Sequence, residues 1–132
     1  MRVETTKFLS VELCRQHPDK IFVFGDNIVR RGVREGAGQA VIRNEPNAFG
    51  VPVKRYPSMK EGSFFSDLED EREIVCNSLR ELWTIGQSGK VIVFPEDGIG
   101  TGRAMMRQKS GVIYTIMCDI LNVHFGFNQW GK

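Results

Sequence analysis

The chain has 132 residues, is 41% hydrophobic and 26% charged, and carries a formal net charge of +2. That is the size of one domain, spanning 1–132, with enough apolar content to bury a core unaided by metals or disulfides. The charge is too small to argue for nucleic-acid binding by itself. Cys14, Cys76 and Cys118 form no CxxC pair, and His17 and His124 lie far apart in sequence, so neither a metal nor any other cofactor is expected. No signal-peptide pattern and no run of membrane length occurs, which predicts a cytoplasmic protein with no membrane partner.

Ser10 is placed to cap a short helix over Val11 to His17, closed by Pro18. Lys20 to Phe24 is an apolar run suited to a buried strand. Gly36 to Asn44 reads as a short helix that begins at glycines and is broken by Glu45-Pro46-Asn47. Ala48 to Val53 reads as the next strand. Lys54 to Asp67 holds Pro57, Ser58, Gly62 and Ser63 and reads as a long loop, a kind often reserved for function.

Glu69 to Ile85 is the longest helical pattern. Ile74, Val75, Leu79, Leu82 and Ile85 recur at three- and four-residue spacing, and Glu69, Asp70, Glu71 and Glu73 suit its positive end. Lys90 to Phe94 is an uninterrupted strand. Ser110 to Leu121 is a second long helix. Val123, Phe125 and Phe127 then alternate, which predicts a last strand within Asn122 to Trp130. Strands alternating with helices give an α/β sheet layered between helices.

Three of these strands end in polar or glycine-rich loops, where open α/β sheets gather ligand-binding groups. Asp26 and Asn27 follow the first. Asn27 suits a ribose hydroxyl or base edge, and equally a turn. Gly36, Gly38 and Gln39 follow in a glycine-rich helix start that is neither a dinucleotide fingerprint nor a Walker loop. Gly98, Ile99, Gly100, Thr101, Gly102 and Arg103 follow a buried strand. Three glycines in five residues permit positive φ and close backbone approach to a phosphate, with Thr101 and Arg103 in support. Arg30, Arg31, Arg34 and Arg43 surround the first loop, and Lys54, Arg55 and Lys60 follow the strand Ala48 to Val53. Such a field suits an anionic ligand or, equally, a solvated surface. Lys54 sits where loss of hydration would lower its pKa and make its amine a nucleophile.

The order of these motifs resembles the macro domain, over about residues 20 to 121. It runs strand, Asn, glycine-rich helix start, Pro-x-Lys strand end, then Phe-Pro-x-x-Gly-x-x-x-Gly. Macro domains bind ADP-ribose in a cleft over a mixed sheet, so the resemblance implies a three-layer fold with a mixed sheet and helices on both faces. Asn27 matches the distal-ribose contact, Gly36-Ala37-Gly38 the pyrophosphate lining, and 90–103 the phosphate-gripping motif. Val51-Pro52-Val53-Lys54 is similar to the Phe-Pro-Thr-Lys segment of the DarG and terminal ADP-ribose glycohydrolase branch. That branch removes ADP-ribose from DNA bases or acidic side chains, and there the lysine is the nucleophile. Similar motifs occur in small macro-like proteins of bacteria and phages that begin with a Phe-Gly-Asp/Ser-Asn loop. The chain departs from the branch in Val53 and in Arg103-Ala104-Met105, where an acid is expected. Asp97 is the substitute available as base or orienter.

Three functions follow. The first is binding of an ADP-ribose-like nucleotide, with hydrolysis of an ADP-ribosyl linkage on nucleic acid or protein by Lys54 and Asp97. The second is sequestration of a nucleotide signal without turnover. The third is a nucleic-acid-binding module built on Arg30, Arg31, Arg34 and Arg43, whose binding would fall steeply with salt.

Overall fold

A computed structural model describes residues 1–32 and 38–131. Four strands, β1 (Val3–Thr6), β2 (Lys20–Asn27), β3 (Ala48–Lys54) and β4 (Val91–Pro95), form one sheet in the order β1-β4-β2-β3. Every pairing in it is parallel, which corrects the expectation of a mixed sheet for the described residues. The reason lies in the connections. Parallel neighbours need crossovers, and these hold α1 (Val11–Gln16), a 3-10 turn (Gly38–Ile42) and α2 (Glu69–Gln87).

The two inner strands are buried on both faces, which explains their unbroken apolar runs. Side chains alternate across the sheet. Val23, Val51, Ile92 and Phe94 enter one cluster with Val75, Leu79 and Leu82 of α2 and Ile113, Met117 and Leu121 of α4 (Gly111–Phe125). Phe22, Phe24 and Val93 enter the other with Cys14 of α1 and Ile42. Connections running from β1 through β2 to β3 cover the second face, and the return through α2 to β4 covers the first. A single hand of crossover requires that division.

Local signals hold at most boundaries. Ser10 Oγ accepts from Leu13 N at 3.0 Å and starts α1. Glu71 Oε1, in the first turn of α2, accepts from Leu68 N at 3.0 Å and Ser66 N at 2.8 Å, which fixes the start of that helix. The loop after β3 contains one 3-10 turn, Glu61–Ser63. Two elements are additional to the expected set, β1 and a one-turn helix α3 (Met106–Lys109).

The expected last strand is absent. Instead α4 continues to Phe125, and Gly126 at φ +66° ends it in the left-handed region. Phe125 meets Phe94 edge-on at 5.6 Å, and Phe127 stacks on the same ring at 4.6 Å. The two aromatic residues reach one partner from either side of a helix end, which imitates strand alternation. No helix among the described residues is long and apolar enough to cross a membrane.

Candidate functional site

The loops after β2 and β4 leave adjacent strands toward opposite faces of the sheet. A crevice opens at such a point in α/β folds. Here it is a cleft of about 340 Å³ at the C-terminal ends of β2, β3 and β4. Among the described residues four cationic side chains, Arg31, Arg43, Lys54 and Arg103, line it against one carboxylate, Asp26. A second hollow of about 410 Å³, between α2 and α4, is lined by Leu79, Trp83, Ile120 and Phe125 and is largely apolar.

On the β2 wall the polar groups are paired with protein. The Asp26 carboxylate is fully buried. Its Oδ1 accepts from Arg43 Nη2 at 2.6 Å and Nε at 3.0 Å, and from Asn27 N at 2.8 Å. Its Oδ2 accepts from Arg30 Nη1 at 3.3 Å, and that nitrogen also donates to Gly50 O at 2.9 Å. A Cβ on Gly50 would fall 2.8 Å from Asp26 Oδ2 and 2.9 Å from Arg30 Nη1, so this close approach needs glycine. Asn27 donates from Nδ2 to Arg31 O at 2.9 Å and accepts from Arg31 N at 3.3 Å. Gln39 accepts from Gly25 N and donates to Gly98 O, both at 2.9 Å. It ties the β2 wall to the β4 loop.

The β4 loop turns through Gly98 at φ +85° and Gly100 at φ +76°. It is pinned from below by Gln129 of the tail. Gln129 Oε1 accepts from Ile99 N at 3.0 Å and its Nε2 donates to Ile99 O at 2.9 Å. Ile99 itself is buried in the core cluster, so its side chain holds the loop down and does not face a ligand. A Cβ on Gly100 would strike Met106 Sδ, whereas one on Gly102 would meet nothing within 4 Å. The outer half of the loop therefore offers open backbone. Thr101 Oγ1 donates to Asp97 O at 3.0 Å, which steadies the turn.

Lys54 closes β3 and is 8% exposed. Its Nζ donates to Ser58 O at 2.7 Å and lies 4.8 Å from the Phe64 ring centroid. It has no carboxylate partner among the described residues. Burial, followed by the charge of Arg103, lowers its pKa from the ordinary lysine value. The next residue is spent differently. Arg55 Nε bonds Glu71 at 2.7 Å and its Nη2 bonds Asp70 at 2.9 Å.

The fold thus gathers Asp26, Asn27, Gly38, Gln39, Lys54, Gly100, Thr101, Gly102 and Arg103 around one cleft. It does not bring Asp97 in. That residue is exposed and does not line the cleft, so among the described residues no carboxylate stands ready beside Lys54. Gly36, with Ala37 and Arg34, lies outside the described residues. Arg43's only signal in sequence was its place among the arginines around the first loop, and nothing there marked its pairing with Asp26. Gln129 had none. Among the described residues no group of three or more His, Cys, Asp or Glu is placed to hold a metal.

Residues 4–120 match a family of unknown function, DUF7831, and the chain belongs to that family. The matched span holds every residue of the cleft. No curated protein and no solved structure matches the chain.

Proposed function

We propose that this member of DUF7831 binds an ADP-ribose-like nucleotide in the cleft over β2, β3 and β4. The observation that carries the reading is the charge imbalance of the cleft. Among the described residues four cations line it, and the single carboxylate there is already held by two arginines. Such a lining attracts an anion, and its described carboxylate is not free for a cation. The diphosphate lies along Gly100 to Arg103, where backbone is open at Gly102. The sugar lies along the turn that Asn27 braces. The order of motifs along the chain and the helices on both sheet faces support a macro-like, three-layer architecture as part of the same proposal. The three free cysteines fit a reducing cytoplasm.

Binding without turnover is the favoured form. Hydrolysis needs a group to take or give a proton, and Asp26 is locked while Asp97 stands outside the cleft. A second reading rests on the lowered pKa of Lys54. In it the neutral amine attacks the anomeric carbon of an ADP-ribosyl group on DNA or protein. The new C–N bond replaces the bond to the linked base or carboxylate, which leaves with its electron pair and a proton, and water then releases the sugar. The nucleic-acid reading is weakened because Arg30 and Arg43 are already paired with Asp26.

Thermal denaturation with ADP-ribose, AMP and adenosine tests the first reading. A one-site ligand at about 100 times its Kd stabilises the fold by roughly 2.7 kcal/mol. ADP-ribose should do so, adenosine should do least, and the bound ligand should be recovered intact. Release of ADP-ribose from modified DNA or protein, lost in Lys54→Ala and not restored in Lys54→Arg, would favour the second reading. No stabilisation by any phosphate-bearing ligand would reject both.

A further inference from the structure

Arg43 holds a polar atom that the β2 wall leaves unused. Its side chain is 9% exposed, yet it lines the cleft. Nε and Nη2 both donate to Asp26 Oδ1, at 3.0 and 2.6 Å. Those two bonds fix the plane of the guanidinium. The third nitrogen, Nη1, is buried and has no hydrogen-bond partner among the described residues. A buried donor left unpaired is costly, and a charged one more so. The cost is recovered where a ligand supplies the acceptor, and because Nη1 has no exposed surface of its own, the groups that cover it must give way as the ligand enters.

The geometry points to Arg43 as a second anion-receiving group of the cleft, its Nη1 donating to a phosphate or carboxylate oxygen of the bound molecule. This rests on the reading of the cleft as an anion site, and it adds a contact on the wall away from the glycine loop. Three features select that chemistry. The donor is cationic and held in place by Asp26, so it favours an oxygen bearing negative charge. The other cations of the cleft, Arg31, Lys54 and Arg103, also have no carboxylate partner among the described residues. Asp26 is occupied on both oxygens, so it does not repel the anion as a bare carboxylate would.

The probes are pyrophosphate, which carries only the anionic part, and ADP-ribose. Calorimetric titration of wild type with pyrophosphate should show one site. Arg43→Gln should weaken it by about tenfold or more, the range for a hydrogen bond to a charged group. Arg43→Lys should not restore it, because an ammonium cannot bond Asp26 through two nitrogens and still present a third. In labelled wild-type protein the Arg43 guanidinium protons should shift on adding pyrophosphate, a reading that needs no variant to fold. Unmoved Arg43 resonances, equal pyrophosphate affinity in Arg43→Gln, or no pyrophosphate binding by wild type would each overturn the inference. If pyrophosphate binds through Arg43 but ADP-ribose does not bind, the nucleotide reading falls and the role of Arg43 stands. If ADP-ribose binds without disturbing Arg43, the reverse holds.

Discussion

The two walls of the cleft are built on opposite plans. On the β2 side, Asp26, Asn27 and Gln39 spend their polar atoms on the protein, and Arg43 Nη1 is buried without a hydrogen-bond partner among the described residues. On the β3 and β4 side, Lys54 and Arg103 carry charge without a carboxylate, and the outer loop backbone is open at Gly102. The first wall is a hydrogen-bonded frame whose one buried unpaired donor is Arg43 Nη1 among the described residues. The second carries charge that has no carboxylate partner among the described residues, and under the proposed function an anion would relieve it. Both side-chain types look alike in sequence, so residue type alone does not separate frame from ligand contact.

The largest expected effect lies under the second wall. Gly100→Val puts a β-branched side chain at positive φ and drives its Cβ into Met106. The strain and overpacking should together cost about 2–5 kcal/mol by denaturant unfolding. Gly102→Ala, two residues on in open space, should leave stability within about 0.5 kcal/mol of wild type. Equal losses in the two variants would mean the loop has no inner and outer half.

Next comes the pin beneath the loop. Gln129→Ala leaves Ile99 N–H and C=O unpaired in a buried place. Each orphaned group costs about 1–3 kcal/mol. The tail is thus expected to matter to the loop although it lies beyond the matched family span.

Asn27→Ala removes both bonds to the Arg31 backbone. It should cost about 1–2 kcal/mol of stability, since a typical bond contributes about 0.5–1.5 kcal/mol. Loss of ligand affinity with unchanged stability would move Asn27 from the frame to the contacts.

The smallest effect in stability, and the most telling in sign, concerns Lys54. Its folded pKa lies below the unfolded one, so the unfolded chain binds more protons between the two values. Stability should therefore rise as pH climbs through the folded pKa, level off above the ordinary lysine value, and fall back as pH drops. Lys54→Met should flatten that slope without destabilising the protein near neutral pH, because it removes a buried charge that has no carboxylate partner among the described residues. A variant that is less stable than wild type and keeps the slope would return Lys54 to the frame.

Much of the fold was legible because β2 and β4 are buried on both faces and their residues say so. Phe22 to Phe24 and Ile92 to Phe94 leave no polar alternation to mislead. β1 was not legible. Val-Glu-Thr-Thr at the sheet edge is short and half-exposed, with only one neighbour to select its composition. The tail misled because Phe125 and Phe127 share the Phe94 ring across a helix end.

The site followed the same rule. Glycines at 98, 100 and 102 marked the loop, but Gly98 and Gly100 answer to the core beneath them and only Gly102 to open space. Asp97 lies just before these glycines yet outside the cleft lining, and Arg43 reaches Asp26 from 17 residues away, placements that residue type alone does not give.

The central claim is that an anionic nucleotide binds over β2, β3 and β4 and not in the apolar hollow between α2 and α4. Titration of isotope-labelled protein with ADP-ribose, followed by backbone amide shifts, tests it most directly. Saturable shifts are expected at Gly25, Asn27, Lys54, Gly102 and Arg103, with Trp83 and His124 of the hollow unmoved. Shifts centred on Trp83 and His124, or no saturable shift at the five cleft residues, would contradict it.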